Sequence, residues 1–239
     1  MQTAEHIAYV ESEGTRLVEA ATAAGLDATV PACPDWAVRD LLTHIGGIYR
    51  WAADIVGEAR QGFGTAAGEA VGSGPGDDEL AMWCTEGRRA LVETLRNAPP
   101  DLACAAFSDS LPPVAFWSRR QAHETAIHRA DAETAAGLTP AFDTALALDG
   151  IDEIVTVFGR GKKGMTPSTL LLAPGDGAPI RVVIDDSGAQ VSAPGPTEAT
   201  VSGTASQLYL WLWHRPAEVT ITGNEDAAST WGAVRPRWA

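Results

Sequence analysis

The spacing of apolar residues changes near Pro140, and this change constrains the fold more than any other feature of the chain. Before Pro140, apolar residues recur every three or four positions, which is typical of amphipathic helices. After Pro140, short apolar runs separated by Gly-containing turns are typical of strands. The sequence therefore predicts two domains: an all-helical domain over residues 1–140 and a small α/β domain over residues 141–239.

Four helices with an apolar stripe are predicted in the first domain, which favours a four-helix bundle. They cover residues 3–24, 36–58, 77–98 and 113–137. Gly25 is a plausible C-cap of the first helix, and Asp35 is expected to cap the second. Between the second and third helices, the Gly- and Ala-rich residues 61–76 predict a long mobile loop.

The second domain is predicted to mix helices and strands. It begins with a helix over residues 143–159. Three segments favour strands, namely STLLLAP, PIRVVIDDSGAQVSAP and AEVTITG, and two favour helices, namely TASQLYLWLW and DAASTW.

Composition excludes several classes of function. A formal charge of −14 argues against binding to nucleic acid or to anionic membranes, which need clustered Lys and Arg. No apolar run is long enough to span a membrane, and the N-terminus lacks the features of a secretory signal, so a cytoplasmic location is expected. Three widely spaced cysteines predict reduced thiols rather than a disulfide framework.

Residues that bind metals are concentrated in the segment HETAIH, residues 123–128, of the fourth predicted helix. The segment differs from the metalloprotease motif HExxH by one extra residue between the histidines. On a helix His123 and His128 point about 140° apart, whereas Glu124 and His128 lie within about 40° of each other. The spacing therefore favours Glu124 and His128 as a ligand pair and excludes His123 and a protease of this type.

His44 is the candidate for a third ligand. It lies beside Ile45 on the apolar side of the second predicted helix, so we expect it to face the bundle interior, where bundles build metal sites. The following Gly46-Gly47 pair weakens the helix by about 1 kcal/mol per glycine, which suggests a need for close packing or ligand access. Two other interpretations stay open: a core histidine with a satisfied hydrogen bond, and a surface contact between Glu124 and His128.

Three segments in combination resemble the mycothiol-dependent maleylpyruvate isomerase family. They are VPACPDWAVRDLLTHIGGIYRWA, FWSRRQAHETAIHRADAE and VSGTASQLYLWLWHRPAEVTITG. The first two are similar to the helix-2 and helix-4 signatures of the family, and the third to its closing domain. The resemblance implies a DinB-like four-helix bundle followed by a small α/β C-terminal domain.

The resemblance also implies a site and its cofactors. Zinc, or another divalent metal, is expected on His44, Glu124 and His128, with mycothiol as the thiol. Asp131 and Arg215 are implied as catalytic and cofactor-binding neighbours of the metal. From the residues alone, Asp131 would be assigned to a helix-surface ion pair with Arg129, and Arg215 to a solvated position after a helix end.

The implied chemistry is that of an isomerase or S-transferase in which the metal activates the cofactor thiol as thiolate for attack on a small electrophilic substrate. Two alternatives use the same ligands: a zinc-dependent hydrolase, and a non-catalytic binding or regulatory module. A site with three protein ligands keeps a coordination position open, which disfavours a purely structural metal. No nucleic-acid or membrane partner is expected, and the chain is expected to be a monomer or homodimer.

Overall fold

The structure is a computed structural model that describes residues 1–64 and 74–234. Two compact units divide the chain, residues 1–140 and residues 141–239. The predicted Gly-rich loop, residues 61–76, falls partly outside the described residues. No helix within the described ranges combines the length and the apolar character needed to cross a membrane.

Four long helices make up most of the first unit, which confirms the predicted helical N-terminal region. They are α1 (Thr3–Ala24), α2 (Val38–Gly57), α3 (Asp77–Asn97) and α4 (Pro113–Ala135). The apolar stripe of α2, including Leu41, Ile45 and Ile48, is buried as its spacing predicts. Helix α1 ends as expected at Gly25, which has a φ of +86° and donates its N–H to Ala21.

The start of α2 differs from the prediction. A short hairpin precedes it, in which β1 (Thr29–Val30) pairs antiparallel with β2 (Cys33–Ala37). Asp35 belongs to this extended strand, so the predicted Asp35 cap is wrong. Pairing with β1 holds the chain extended up to Ala37, whose backbone N–H donates to Asp40 Oδ2 at 2.8 Å. Asp40 therefore satisfies a free backbone donor at the helix start.

A buried cluster of charged side chains joins α1 to α4. Arg129 is fully buried and donates to Glu13 Oε2 at 2.8 Å and to Glu133. Arg16, at the edge of the cluster, contacts Glu13 at 3.2 Å and Glu133 at 3.0 Å. A buried guanidinium is tolerated only when it is paired. The cluster therefore fixes the register of the two helices, which run in the same direction.

Helix α2 runs antiparallel to α4. His44 contacts Glu124, while Trp51 contacts Trp117 with 5.2 Å between ring centroids. His44 and Trp51 are seven residues apart on α2, or about two turns. Trp117 and Glu124 are separated by the same number of residues on α4. The contacts advance along α2 as they retreat along α4, so the two helices share a continuous seam that contains His44.

Helix α2 also packs closely on α3, through Gly46. A Cβ atom at Gly46 would overlap the ring of Trp83, and the guanidinium of Arg50 lies 4.0 Å from the centre of that ring. Arg50 Nη2 also donates to the Trp83 carbonyl at 2.8 Å. The close packing expected of this glycine is therefore confirmed at Gly46.

The second unit is built on a mixed five-stranded sheet. Its strands are β3 (Ser168–Pro174), β4 (Ile180–Asp185), β5 (Gly188–Ser192), β6 (Ala199–Gly203) and β7 (Thr220–Gly223). Their order is β5-β4-β3-β6-β7, and the β3–β6 pair is parallel while the other pairs are antiparallel. Strand β6 was not predicted, because the run ATVSG contains few strongly apolar residues.

The helices of the second unit confirm the mixed architecture predicted for it. They are α5 (Thr144–Glu153), which continues into a π-helix (Ile154–Gly159), α6 (Ala205–Leu212), and α7 (Glu225–Ser229), which is followed by a 3-10 turn (Thr230–Ala233). Thr204 and Gln207 form a reciprocal capping box at the start of α6, with hydrogen bonds of 3.2 and 2.8 Å.

The Gly46→Ala substitution is expected to lower the free energy of unfolding by about 1–3 kcal/mol, because the added methyl group must displace the Trp83 ring. Urea denaturation measures the change. Gly57→Ala is the matched control in the same helix, since its Cβ would lie 3.5 Å from Thr94 Cγ2, an ordinary contact. Equal losses in the two variants would contradict the close-packing explanation.

The Arg129→Met substitution is expected to destabilise the chain by about 3–5 kcal/mol, because it leaves Glu13 and Glu133 without their buried cation. Arg16→Met removes a cation from the same cluster, but its side chain is 47% exposed. We expect that control to cost about 1 kcal/mol or less in the same urea experiment. A similar cost for both variants would argue against a buried cluster centred on Arg129.

Candidate metal centre

Three predicted ligand side chains converge where α2 meets α4. His44 Nε2 lies 3.2 Å from Glu124 Oε1, and His128 Nε2 lies 3.3 Å from the same oxygen. The three atoms all lie within 4.8 Å of one another, and all three residues are buried. Positions i and i+4 share a helix face, which aims Glu124 and His128 together at α2. The alternative of a surface contact between Glu124 and His128 is therefore wrong.

The second oxygen of Glu124 has a different neighbour. Arg120 Nη2 donates to Oε2 at 2.9 Å, and both side chains are buried. Burial by itself raises the pKa of Glu124, but the two nearby imidazoles of His128 and His44 and the charge of Arg120 outweigh it. The pKa of Glu124 therefore lies well below its usual range, and the carboxylate is ionised.

Asp131 holds the ring of His128. Its Oδ2 lies 3.0 Å from His128 Nδ1, and both residues are buried, so Asp131 is not the surface residue that its position alone suggested. A carboxylate can only accept, so Nδ1 carries a proton, and once the ring is neutral its lone pair lies at Nε2. Burial lowers the pKa of His128, but Asp131 and Glu124 outweigh it and raise this pKa to about 9, so a metal would displace the proton of Nε2 on binding.

Trp36, at the end of the β1–β2 hairpin, lies against the histidines of the cluster. Its ring centroid is 5.0 Å from that of His44 and 6.2 Å from that of His128. The indole is half-buried, and its N–H makes no hydrogen bond within the described residues. Trp36 therefore gives this side of the cluster an aromatic wall with a free donor.

Burial of His44 within the cluster lowers its pKa, which favours the neutral imidazole.

His123 lies outside the cluster, as its spacing predicted. Its side chain is completely buried. Its ring packs edge-on against the ring of His6, with 6.1 Å between centroids. The two histidines of HETAIH therefore have different surroundings.

The remaining predicted site residue, Arg215, belongs to the second unit. It is half-buried in the loop after α6, and its Nη1 donates to the Trp213 carbonyl at 2.9 Å. The preceding residue, His214, has a φ of +57°, and its Nε2 lies 2.6 Å from the Val234 carbonyl oxygen. The predicted role of Arg215 in the site stays a prediction.

The cysteines of the chain are free thiols, as predicted. Burial raises the pKa of Cys84 to about 12 and also raises that of Cys104. Such thiols are poor nucleophiles because little thiolate forms. The environments of Cys84 and Cys104 are consistent with the implied use of a cofactor thiol as the nucleophile.

Two residues of the site escaped the sequence interpretation. Arg120 lies four positions before Glu124, and this i,i+4 spacing was the available signal. The neighbouring arginine, Arg119, does not share this face with Glu124, because one position changes the direction of a helical side chain by about 100°. Trp36 gave no such signal, because a hairpin that the sequence did not predict carries its ring to the cluster.

Comparison with known proteins identifies the family. The family model described as the mycothiol maleylpyruvate isomerase N-terminal domain matches residues 8–133, and the MDMPI C-terminal domain matches residues 145–233. Comparison with curated proteins gave no significant match.

Two solved structures are similar to the chain over nearly its whole length. Both are of mycothiol-dependent maleylpyruvate isomerase, one of them a mutant with a histidine replaced by alanine. Their TM-scores are 0.69 for the mutant and 0.67 for the other structure, each at 15% identity, with 94% of this chain and 95% of the other covered. At this identity the similarity shows a common fold. Together with the two matched domains, it places the chain in the mycothiol-dependent maleylpyruvate isomerase family, a family of enzymes.

Proposed function

We propose that this chain is a zinc-dependent enzyme that uses mycothiol to isomerise a small electrophilic substrate of the maleylpyruvate type. One observation carries the proposal: two imidazole nitrogens and one carboxylate oxygen lie within 4.8 Å of one another in a buried cluster. Family membership supports the thiol and the reaction class. The proposed metal ligands are His44, Glu124 and His128.

The chemistry of the cluster fits a divalent metal. Buried polar atoms are normally satisfied, yet His128 Nε2 makes no hydrogen bond within the described residues, although Glu124 Oε1 lies 3.3 Å away. Asp131 keeps a proton on Nδ1, so a metal would displace the proton of Nε2 and bind at that same nitrogen. Two imidazoles and one carboxylate are a donor set that zinc accepts with a position left open.

When bound, zinc in such a site supplies a positive charge that lowers the pKa of a coordinated thiol and holds it as thiolate. The residues of the chain prepare the site for that role. Asp131 orients His128, and Arg120 keeps Glu124 ionised. Burial of the cluster limits access of water, which strengthens the electrostatic interactions inside it.

Two further residues are proposed to handle the substrate. Arg215 provides a planar guanidinium that suits a carboxylate or a developing enolate. Trp36 offers an indole N–H and an aromatic surface beside the two imidazoles. These assignments predict a substrate that is small, anionic and conjugated.

Purified protein is expected to retain a stoichiometric amount of zinc after dialysis, as measured by inductively coupled plasma mass spectrometry. His44→Ala should lose most of this metal, because a donor of the cluster is removed. His123→Ala is the matched control, since His123 is also a buried histidine but lies outside the cluster. Loss of zinc in His123→Ala with retention in His44→Ala would refute the ligand assignment.

Zinc-loaded protein is expected to isomerise maleylpyruvate only when mycothiol is present. The reaction is measured by the change in absorbance of the substrate. Arg215→Met should lower kcat/KM by about 100-fold, because a charged group that stabilises the substrate is lost. A bimane electrophile, assayed in parallel, distinguishes an S-transferase from an isomerase.

Two outcomes of these assays would contradict the proposed function. Thiol-independent hydrolysis would favour the zinc hydrolase. No turnover of either electrophile by zinc-loaded protein would favour a binding or regulatory module.

A further inference from the structure

The two carboxylate oxygens of Glu124 have different neighbours. Oε1 lies 3.2 Å from His44 Nε2 and 3.3 Å from His128 Nε2, whereas Oε2 accepts a hydrogen bond from Arg120 Nη2 at 2.9 Å. A carboxylate can bind a metal through one oxygen or through both. Which mode Glu124 uses therefore depends on whether Oε2 is free to turn toward the imidazoles.

The position of Arg120 on α4 directs its guanidinium to Oε2. Arg120 precedes Glu124 by four residues, so the two side chains share a helix face. The Arg120 side chain is only 4% exposed and that of Glu124 only 7%. Separating the pair would leave a buried charge unpaired, which is strongly unfavourable. The hydrogen bond to Oε2 is therefore a persistent feature of the site.

We propose that Arg120 is a positioning residue that makes Glu124 a one-oxygen ligand by holding Oε2 away from His44 and His128. The inference rests on the proposed metal site. With one oxygen from Glu124, the protein supplies three donor atoms, and a coordination position stays open for an external thiol. A two-oxygen carboxylate would crowd that position and would make the ion five-coordinate whenever a water or thiol is also bound. Arg120 thus determines whether the site is open, although it touches neither metal nor thiol.

Cobalt-substituted protein tests the proposal without an activity assay, because the visible absorption of Co²⁺ weakens as its coordination number rises. Wild-type protein is expected to give the intense bands of a four-coordinate ion. In Arg120→Met these bands should lose most of their intensity, since Oε2 is released. The concentration of 2-mercaptoethanol needed to produce the sulfur-to-cobalt charge-transfer band should rise about 10-fold in the same variant.

Arg120→Lys is the matched control, because it keeps a buried cation that can donate to Oε2, and it should retain the wild-type spectrum. If Arg120→Met fails to fold by circular dichroism, Arg120→Leu replaces it, since its apolar side chain cannot donate to Oε2. A wild-type spectrum in Arg120→Met or its replacement would overturn the proposal. Failure of the wild-type protein to bind Co²⁺ would instead refute the proposed metal site, so the two failures are distinguishable.

Discussion

The first unit depends on the pairing of charged side chains along α4, a helix that is buried on almost every side. An ionised group taken out of water must find a partner, because the cost of leaving it unpaired is several kcal/mol. Each paired charge on α4 therefore restricts how the helix can rotate and slide. Arg129 ties it to α1 through Glu13, and Arg120 is neutralised within α4 by Glu124. The resulting rotation of α4 turns Glu124 and His128 toward α2.

The candidate metal centre follows from the same constraint. Glu124 neutralises a buried arginine with one oxygen and faces two imidazoles with the other. Asp131 likewise pairs with His128 and, in doing so, selects the ring nitrogen that faces the cluster. The groups that make burial of α4 possible are therefore also the groups that orient the ligands. A substitution among them is expected to affect stability and metal binding together, which is why matched controls within the helix are needed.

Family membership and site geometry are independent observations. Membership comes from two matched domains that together span most of the chain, and the solved relatives share its fold at 15% identity. The geometry comes from atoms of this chain alone, and it selects the three residues that helical spacing had also selected. The open donor set explains why we favour an enzyme that binds an external thiol over one in which a cysteine of the protein reacts, because Cys84 is buried with a raised pKa.

The sequence by itself determined the angular relations within each helix. Spacing of four residues placed Glu124 with His128, spacing of five excluded His123, and the apolar stripe turned His44 inward. Distances between elements required the tertiary structure. The hairpin that removes Asp35 from its predicted cap, brings Trp36 to the cluster and shifts the start of α2 depends on strand pairing between separate segments. The contact between Arg120 and Glu124 was compatible with the spacing, but a helical period carries no information on which side is buried most deeply. Packing in the tertiary structure decides which side of the helix is buried. An arginine on the buried side, such as Arg120, must then pair with a carboxylate, because an unpaired buried charge is unfavourable.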